Sequence, residues 1–276
     1  MKKHIGSRIL RLITWMCAGL AAGIFLFIVL YILIRGIPHV AAAQFAWKHT
    51  TENQSMLPAL INTVLMTALT LLIAAPLGIG SAVYLTEYAR RGNRLVRVIR
   101  LAAETLSGIP SILFGLFGFL MFNINLKWGY SFLSGALTMA AMVLPVILRT
   151  AEEALLSVPQ AYREAAYGLG AGKLRVVFRV ALPAALPGVL SGLILSVGRI
   201  TGESAALIFT SGTAAKTIDG LFSSGRTLAA HMYCLLSEGL YTDQAYATGV
   251  VLLALVLLIN YASSCIVRRL NKRRQA

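Results

Sequence analysis

The feature that most constrains this sequence is a set of six apolar stretches, each about as long as an α-helix that crosses ~30 Å of hydrocarbon. They lie at Leu12–Ile34, Leu60–Leu85, Leu101–Phe122, Tyr130–Leu148, Ala184–Thr210 and Tyr246–Val267. Hydrophobic residues make up 58% of the 276 residues and charged residues 13%, which leaves too little polar surface for a water-soluble domain. The sequence therefore predicts an all-α polytopic membrane protein, with six transmembrane helices in one domain that spans residues 1–276.

The distribution of Lys and Arg predicts the orientation of these helices. Nineteen of the 25 basic residues lie before the first stretch, in the connections from second to third and from fourth to fifth, and after the sixth. Because short cytoplasmic segments retain positive charge, both termini are expected in the cytoplasm, and the first stretch is expected to be an uncleaved anchor. This topology also accounts for the net charge of +15, so no nucleic-acid partner is expected.

The cytoplasmic segment 152–183 carries the most distinctive motif. Its marked residues are Glu164, Ala165, Ala166, Gly168, Gly170 and Pro183. Helix-forming residues before the glycines and an amphipathic stretch after them predict a helix, a turn and a second short helix. Such a unit suits docking by a partner protein, while an amphipathic segment lying on the membrane surface is the alternative. Tyr167 and Leu174 stand where a phosphate-binding loop needs Gly and Ser or Thr, so no nucleotide site is expected.

The fifth stretch has one face of small and charged residues. On a helical projection this face contains Gly188, Gly192, Ser196, Gly198, Arg199, Gly202 and Glu203. The glycine pairs at a spacing of four predict close helix packing, and Glu203, one turn from Arg199, is a candidate ion-pair partner. An arginine within the membrane faces a partner or a polar pathway. The pair is therefore either a structural ion pair or part of an anion pathway, in which the guanidinium binds a tetrahedral oxyanion.

Metal and disulfide chemistry find no support in the sequence. The four histidines, at 4, 39, 49 and 231, have no metal-ligand spacing, and two of the three cysteines fall within apolar stretches. No metal site, cofactor or catalytic residue is expected.

Several segments resemble a known family. The E-A-A motif with Gly170, followed by Val180-x-Leu182-Pro183, resembles the coupling loop of ABC importer permeases. The segments GRITGESAALIFTSG (198–212), GIPSILFGLFGF (108–119), 84–111 and 144–172 are similar to PstA-type permeases of phosphate importers. Ala206 departs from the proline that is usual in this family.

The resemblance implies a type I importer permease in the bacterial cytoplasmic membrane that carries inorganic phosphate. It implies as partners two ABC ATPase subunits, a second, PstC-like permease and an extracytoplasmic phosphate-binding protein. By the same resemblance, the E-A-A residues contact the ATPase, and Arg199 and Glu203 lie on the substrate pathway. Arg149 is a second anion candidate, or a positive-inside anchor.

Other functions remain open at this point. The R-x-x-G-E pattern is shared with permeases for sulfate and molybdate. An ion-coupled secondary transporter would need several acids at mid-membrane, where Glu203 is the one clear example. A membrane-embedded enzyme would need a catalytic cluster, and none is visible.

Overall fold

The computed structural model describes residues 2–90 and 92–275, with the side chains of residues 10–90 and 92–265; this part of the chain contains helices and loops and no β-strand. The helices are α1 (Lys2–Gly36), α2 (Leu57–Val83), α3 (Arg94–Ser107), α4 (Ser111–Gly118), α5 (Phe132–Leu156), α6 (Gln160–Gly168), α7 (Lys173–Val176), α8 (Leu182–Thr201), α9 (Ala205–Thr210), α10 (Leu228–Glu238) and α11 (Thr242–Gln275). Five helical segments among the described residues are long and apolar enough to cross a membrane, or six when the bent pair α3 and α4 counts as one span. The predicted all-α membrane class is confirmed.

The core of the bundle is built around α5. This helix packs against α2 on one side and α8 on the other, and its side chains Phe132, Met139, Met142 and Ile147 are almost completely buried. Peripheral α1 packs against α11, where Gly36 lies against the backbone of Tyr246. The described side chains of α1 are otherwise largely exposed, as expected for a helix whose surroundings are lipid.

Prolines within apolar helices have different effects along the chain. Helices α2 and α5 continue through Pro76 and Pro145. The third predicted stretch, Leu101–Phe122, is instead broken at Gly108–Pro110, and the helical segments on either side meet at 105°. Leu101 thus belongs to the amphipathic helix α3, and the spanning segment begins at Ser111 and continues through a π-helical turn to Asn125. The helix-interrupting residues Gly108 and Pro110 predict a bend in this stretch, and the structure has one there, because Pro110 cannot continue the helix of the preceding residues.

The fifth predicted stretch, Ala184–Thr210, also differs from one helix. The helical segment starts at Lys173, passes through a π-helical turn at Val177–Ala181 and ends at Thr201. Residues 202–204 are not helical, and α9 follows. The second short helix of the cytoplasmic segment 152–183 is therefore continuous with the membrane helix α8, and not a separate element.

The orientation prediction rests partly on residues that the structure does not describe in full. The basic side chains at positions 2, 3, 8, 91 and 268–274 lie outside the described side chains. The cytoplasmic placement of the two termini therefore stays a prediction.

Candidate functional site

The turn after α6, which is predicted to be cytoplasmic, has the geometry that its glycines predict. Gly170 adopts φ +76°, in the left-handed region, and its N–H donates to Tyr167 O at 2.9 Å. The N–H of Ala171 donates to Ala166 O at 3.0 Å, and these two bonds form a Schellman motif that ends the helix. This positive φ agrees with the predicted turn at Gly170. Apart from its chain neighbours, none of the described residues lies within 4 Å of the position that a Cβ would take there, so the turn is open to a partner.

The surface around this turn combines the E-A-A residues with exposed apolar side chains. Glu164, Ala165 and Gly168 are exposed, and Ala166 is half-buried. Leu169 at the tip is 90% exposed. Leu174 and Phe178, which sequence periodicity places on an apolar face, are exposed as well, because α7 and the π-helical turn after it bury Val176 and Val177 instead. Exposed apolar groups on a protruding turn are typical of an interaction surface.

Pro183 lies at the start of α8, where a proline is compatible with the first helical turn. It is half-buried, some distance along the chain from the exposed turn. The structure thus places Pro183 in the bundle, away from the exposed tip formed by the other motif residues.

Arg199 lies in a cleft between α5, α8 and α11. The cleft has a volume of about 580 Å³ and is lined by Val146, Ser191, Ile194, Leu195, Gly198, Arg199 and Asn260. Val146 lies near the middle of α5, whose outer end is level with Thr210, since Ser131 N donates to Thr210 O at 3.1 Å. At 1.5 Å per residue, the cleft is about 20 Å from the outer end of α5, close to the middle of the bundle.

The predicted ion pair between Arg199 and Glu203 is wrong. Among the described side chains, no carboxylate lies within 4.0 Å of the Arg199 guanidinium. Helix α8 ends at Thr201, so Glu203 is not one helical turn above Arg199; its Oε1 instead accepts a hydrogen bond from Ala206 N at 3.2 Å. The i, i+4 relation requires an unbroken helix, and residues 202–204 break it.

The small residues of α8 divide between two faces. A Cβ at Gly192 would overlap the Thr150 hydroxyl, and one at Gly188 would come within 2.6 Å of Ala154 Cβ. These two glycines permit the close packing of α8 on α5, as predicted. Gly198 has no neighbouring group within 4 Å and Gly202 only the backbone of its own helix, so the second glycine pair does not pack against another helix of this chain.

Arg149 and Arg199 lie in separate clefts. Arg149 Nε donates to Glu153 Oε1 at 3.1 Å, and its Nη1 is 4.0 Å from Glu104 Oε1. It lies near the C-terminal end of α5, facing α3, in a cleft that also contains the Arg100–Glu152 pair. Two carboxylates within 4.0 Å thus compensate the charge of Arg149, whereas no described carboxylate lies this close to Arg199.

The sequence did not indicate two polar features of the structure. Arg163, one residue before the E-A-A motif, forms an ion pair with Glu87 at 2.8 Å. Asn260 of α11 faces the Arg199 cleft, and within the described part of the chain its side chain has no hydrogen-bond partner. No local pattern indicates either feature, because each brings together residues of helical segments that are far apart in the sequence.

A cluster of two histidines and one arginine lies among the segments predicted to be extracytoplasmic, with His231 and Arg226 buried and His49 half-buried. His49 and His231 pack with ring centroids 5.8 Å apart, and Arg226 Nη2 is 3.4 Å from His49 Nε2. Burial lowers the pKa of His231 to about 3, with the Arg226 charge as a further cause, so this ring stays neutral at physiological pH. Burial also lowers the pKa of His49 and of Arg226. The described residues contain no group of three potential metal ligands.

Comparison with known proteins places this geometry in a family. The family described as "Binding-protein-dependent transport system inner membrane component" matches residues 74–276. The chain is 33% identical to the probable ABC transporter permease protein YqgI of Bacillus subtilis, covering 95% of both chains. It is 34% identical to the phosphate transport system permease protein PstA of Pasteurella multocida, covering 71% of this chain and 67% of that protein.

The fold is also found in solved structures. A chain of the bacterial alginate ABC transporter, crystallised with its alginate pentasaccharide-bound periplasmic protein, superposes with a TM-score of 0.67 at 17% identity, covering 93% of this chain and 95% of that one. The architecture is that of type I ABC importer permeases. By its sequence match over residues 74–276, the chain belongs to the family of binding-protein-dependent transport system inner membrane components.

Proposed function

We propose that this ABC importer permease subunit carries inorganic phosphate into the cell. The observation that carries the proposal is the unpaired guanidinium of Arg199 in a cleft near mid-bundle. An arginine in a low-dielectric interior is costly unless a partner satisfies it, and within the described chain Arg199 has none. A tetrahedral oxyanion supplies two oxygens in the geometry of the guanidinium fork. The PstA of Pasteurella multocida, one of its relatives, is named for phosphate transport.

The surroundings of Arg199 suit transient binding. Asn260 offers an amide donor and acceptor, and Ser191 a hydroxyl, on the same cleft. The break at residues 202–204 leaves backbone groups outside a helix at membrane depth, which is tolerated where they line a polar cavity or are buried in protein. Arg149 is less suited to the anion, because Glu153 and Glu104 already compensate its charge.

Partner subunits hydrolyse the ATP that drives transport. The exposed turn from Glu164 to Gly170 contacts the ATPase, two copies of which bind on the cytoplasmic side. A second, PstC-like permease completes the pathway, and an extracytoplasmic phosphate-binding protein delivers the substrate. Both termini face the cytoplasm of a bacterial cell, as the excess of basic residues on that side predicts. A reporter fused at Lys173 that responds as extracytoplasmic would contradict this orientation.

The test of the function is ATP-dependent uptake by the complete complex. The complex is purified through a tag on this chain and reconstituted in proteoliposomes that contain ATP. Uptake of labelled phosphate is then measured with its binding protein, in competition with sulfate and with molybdate. Phosphate uptake that requires ATP and resists excess sulfate and molybdate supports the proposal. Preferential uptake of sulfate or molybdate would assign another oxyanion, and ATP-independent uptake by this chain alone would indicate a secondary transporter.

A further inference from the structure

Helix α6 bears the E-A-A motif, yet it is weakly held by apolar packing. None of its nine residues is buried. Its outward side chains include Tyr162, 56% exposed, and Glu164. A typical hydrophobic contact between two helices buries several side chains of each helix. Helix α6 has no such contact, so a force that a partner applies to α6 must reach the bundle in another way.

The Arg163 side chain provides the connection instead. Its Nε and Nη2 donate to Glu87 Oε1 at 3.1 and 2.8 Å. Its Nη1 donates to Val158 O at 2.8 Å, and its Nη2 to Leu155 O at 2.8 Å. Through these four hydrogen bonds, the Arg163 guanidinium joins α6 to the cytoplasmic end of α5 and to the segment that contains Glu87.

Two of the three partners, Glu87 and Leu155, belong to helical segments that continue into the membrane core, and Val158 lies in the connection between α5 and α6. Glu87 lies in the π-helical turn Tyr84–Tyr88, directly after α2. Leu155 is in the last turn of α5, whose carbonyl groups have no partner within the helix. The positive guanidinium is also favourable at this negative end of the helix dipole. Arg163 therefore links the E-A-A helix to the two helices that pack most extensively against each other in the core.

Burial makes this link rigid. The Arg163 side chain is 11% exposed and that of Glu87 is 8% exposed, whereas the Arg149 and Glu153 side chains, which also form an ion pair, are 59% and 63% exposed. A buried charge that loses its partner is unfavourable, so the pair stays together while α6 moves. A mobile surface pair would not constrain the helix in this way.

We propose that Arg163 is a positioning residue for coupling: it transmits displacement of α6 to α2 and α5, and so converts ATPase closure into movement of the membrane helices. The inference rests on the proposed coupling role of the E-A-A turn. Arg163 touches neither substrate nor nucleotide in this scheme. Rigid joining of the exposed turn to two core helices is what a transition between two packed arrangements requires.

The experiment measures the phosphate transported per ATP hydrolysed by the reconstituted complex, together with stimulation of ATP hydrolysis by the binding protein. In Arg163→Gln the ratio is expected to fall about tenfold, within the range for coupling between distant sites, with the ATPase still co-purifying. Arg163→Lys should give an intermediate ratio, because an ammonium group has three N–H donors and cannot form the four hydrogen bonds of the planar guanidinium. Glu87→Gln should lower the ratio less, since the carbonyl bonds remain.

The matched control is Arg100→Gln, which breaks the 2.6 Å Arg100–Glu152 pair between α3 and α5 without touching α6. This variant is expected to keep the wild-type ratio. An unchanged ratio in Arg163→Gln, or an equal loss in Arg100→Gln, would overturn the inference. Should Arg163→Gln not assemble, wild-type ratios in both Arg163→Lys and Glu87→Gln would overturn it.

The failure of the phosphate proposal would look different. A wild-type complex that hydrolyses ATP but moves no phosphate would refute phosphate as the substrate. The role of Arg163 would then be read from the stimulation of ATP hydrolysis by the binding protein, which Arg163→Gln should abolish and Arg100→Gln should retain. Equal stimulation in the two variants would refute it.

Discussion

The helical segment Lys173–Thr201 has two halves with opposite surroundings. In its first half, the residues Val177, Ala181, Ala185 and Val189 are buried against α5 and the end of α2. Farther along, one face opens to the cleft that contains Arg199. Packing complementarity accounts for the first half, because small side chains there allow close helix approach. In the second half, the Arg199 guanidinium has no partner within the described chain. This difference separates residues that stabilise the bundle from residues that are available to a ligand or a partner protein.

The same contrast applies to arginines. Arg163, near the end of α5, has four hydrogen bonds, and Arg199 has none among the described residues. A guanidinium with four of its five N–H donors in use is held in place, and one whose donors are free in a cleft is suited to an anion.

The largest effect is expected at the open half. Arg199→Gln should lower ATP-dependent phosphate uptake by roughly 10- to 100-fold, the loss of a charge-assisted bidentate contact of ~1.5–3 kcal/mol. Because no carboxylate of the described chain loses a partner, the complex should assemble normally. The measurement is labelled phosphate uptake, normalised to the amount of co-purified ATPase.

Two further variants sharpen this result. Arg199→Lys should be intermediate, because it keeps the charge and loses the fork. The double variant Arg199→Gln with Glu203→Gln should transport as poorly as Arg199→Gln alone. Recovery of uptake in the double variant would show that the two residues form a structural ion pair during the transport cycle.

The next largest effect is expected at Gly170, in the turn that precedes the packed first half of the segment Lys173–Thr201. Gly170→Asp places a side chain at φ +76° and a negative charge on the exposed tip. If the tip contacts the ATPase, loss of a central interface contact of ~2 kcal/mol would reduce uptake roughly 30-fold and weaken co-purification of the ATPase.

Gly92 provides the control for this variant. It has φ +84° and open space around its Cα, but lies in the connection between α2 and α3. Gly92→Asp carries the same backbone strain and charge and should leave uptake close to wild type. Equal losses in both variants would attribute the effect of Gly170→Asp to strain, and not to docking.

A smaller effect is expected from packing. Gly192→Ala places a methyl group against Thr150, so the helices must separate or Thr150 must change rotamer, at a cost of about 1–3 kcal/mol. Gly198→Ala adds the same methyl group at a position with no neighbour within 4 Å. Thermal unfolding in detergent should therefore show a lower midpoint for Gly192→Ala and an unchanged one for Gly198→Ala. A lower midpoint for Gly198→Ala than for Gly192→Ala would show that α8 packs through the face that contains Gly198.

The sequence predicted the class of fold and the turn at Gly170, because both depend on local properties. Apolar stretches of membrane-spanning length and the left-handed preference of glycine do not require knowledge of distant residues. The sequence places the start of the third stretch at Leu101, inside the amphipathic helix α3, because the apolar residues of α3 extend the hydropathy signal of the segment that follows Pro110. The Arg163–Glu87 pair joins residues 76 positions apart, and no periodicity within one helix identifies it.

The smallest effect on uptake and stability is expected at Glu203, which lies just after the end of α8. Its carboxylate accepts from Ala206 N, so Glu203→Gln keeps an acceptor oxygen in place and should leave both unfolding and uptake near wild type. Glu203→Ala removes this oxygen at the start of α9 and should destabilise the protein by ~1 kcal/mol, the usual cost of losing a helix cap. The two variants are compared by thermal unfolding and by uptake in the same preparation. If Glu203→Gln instead abolishes uptake as Arg199→Gln does, the negative charge itself is needed in the pathway, and the contrast between a free arginine and a capping carboxylate would not hold in the working transporter.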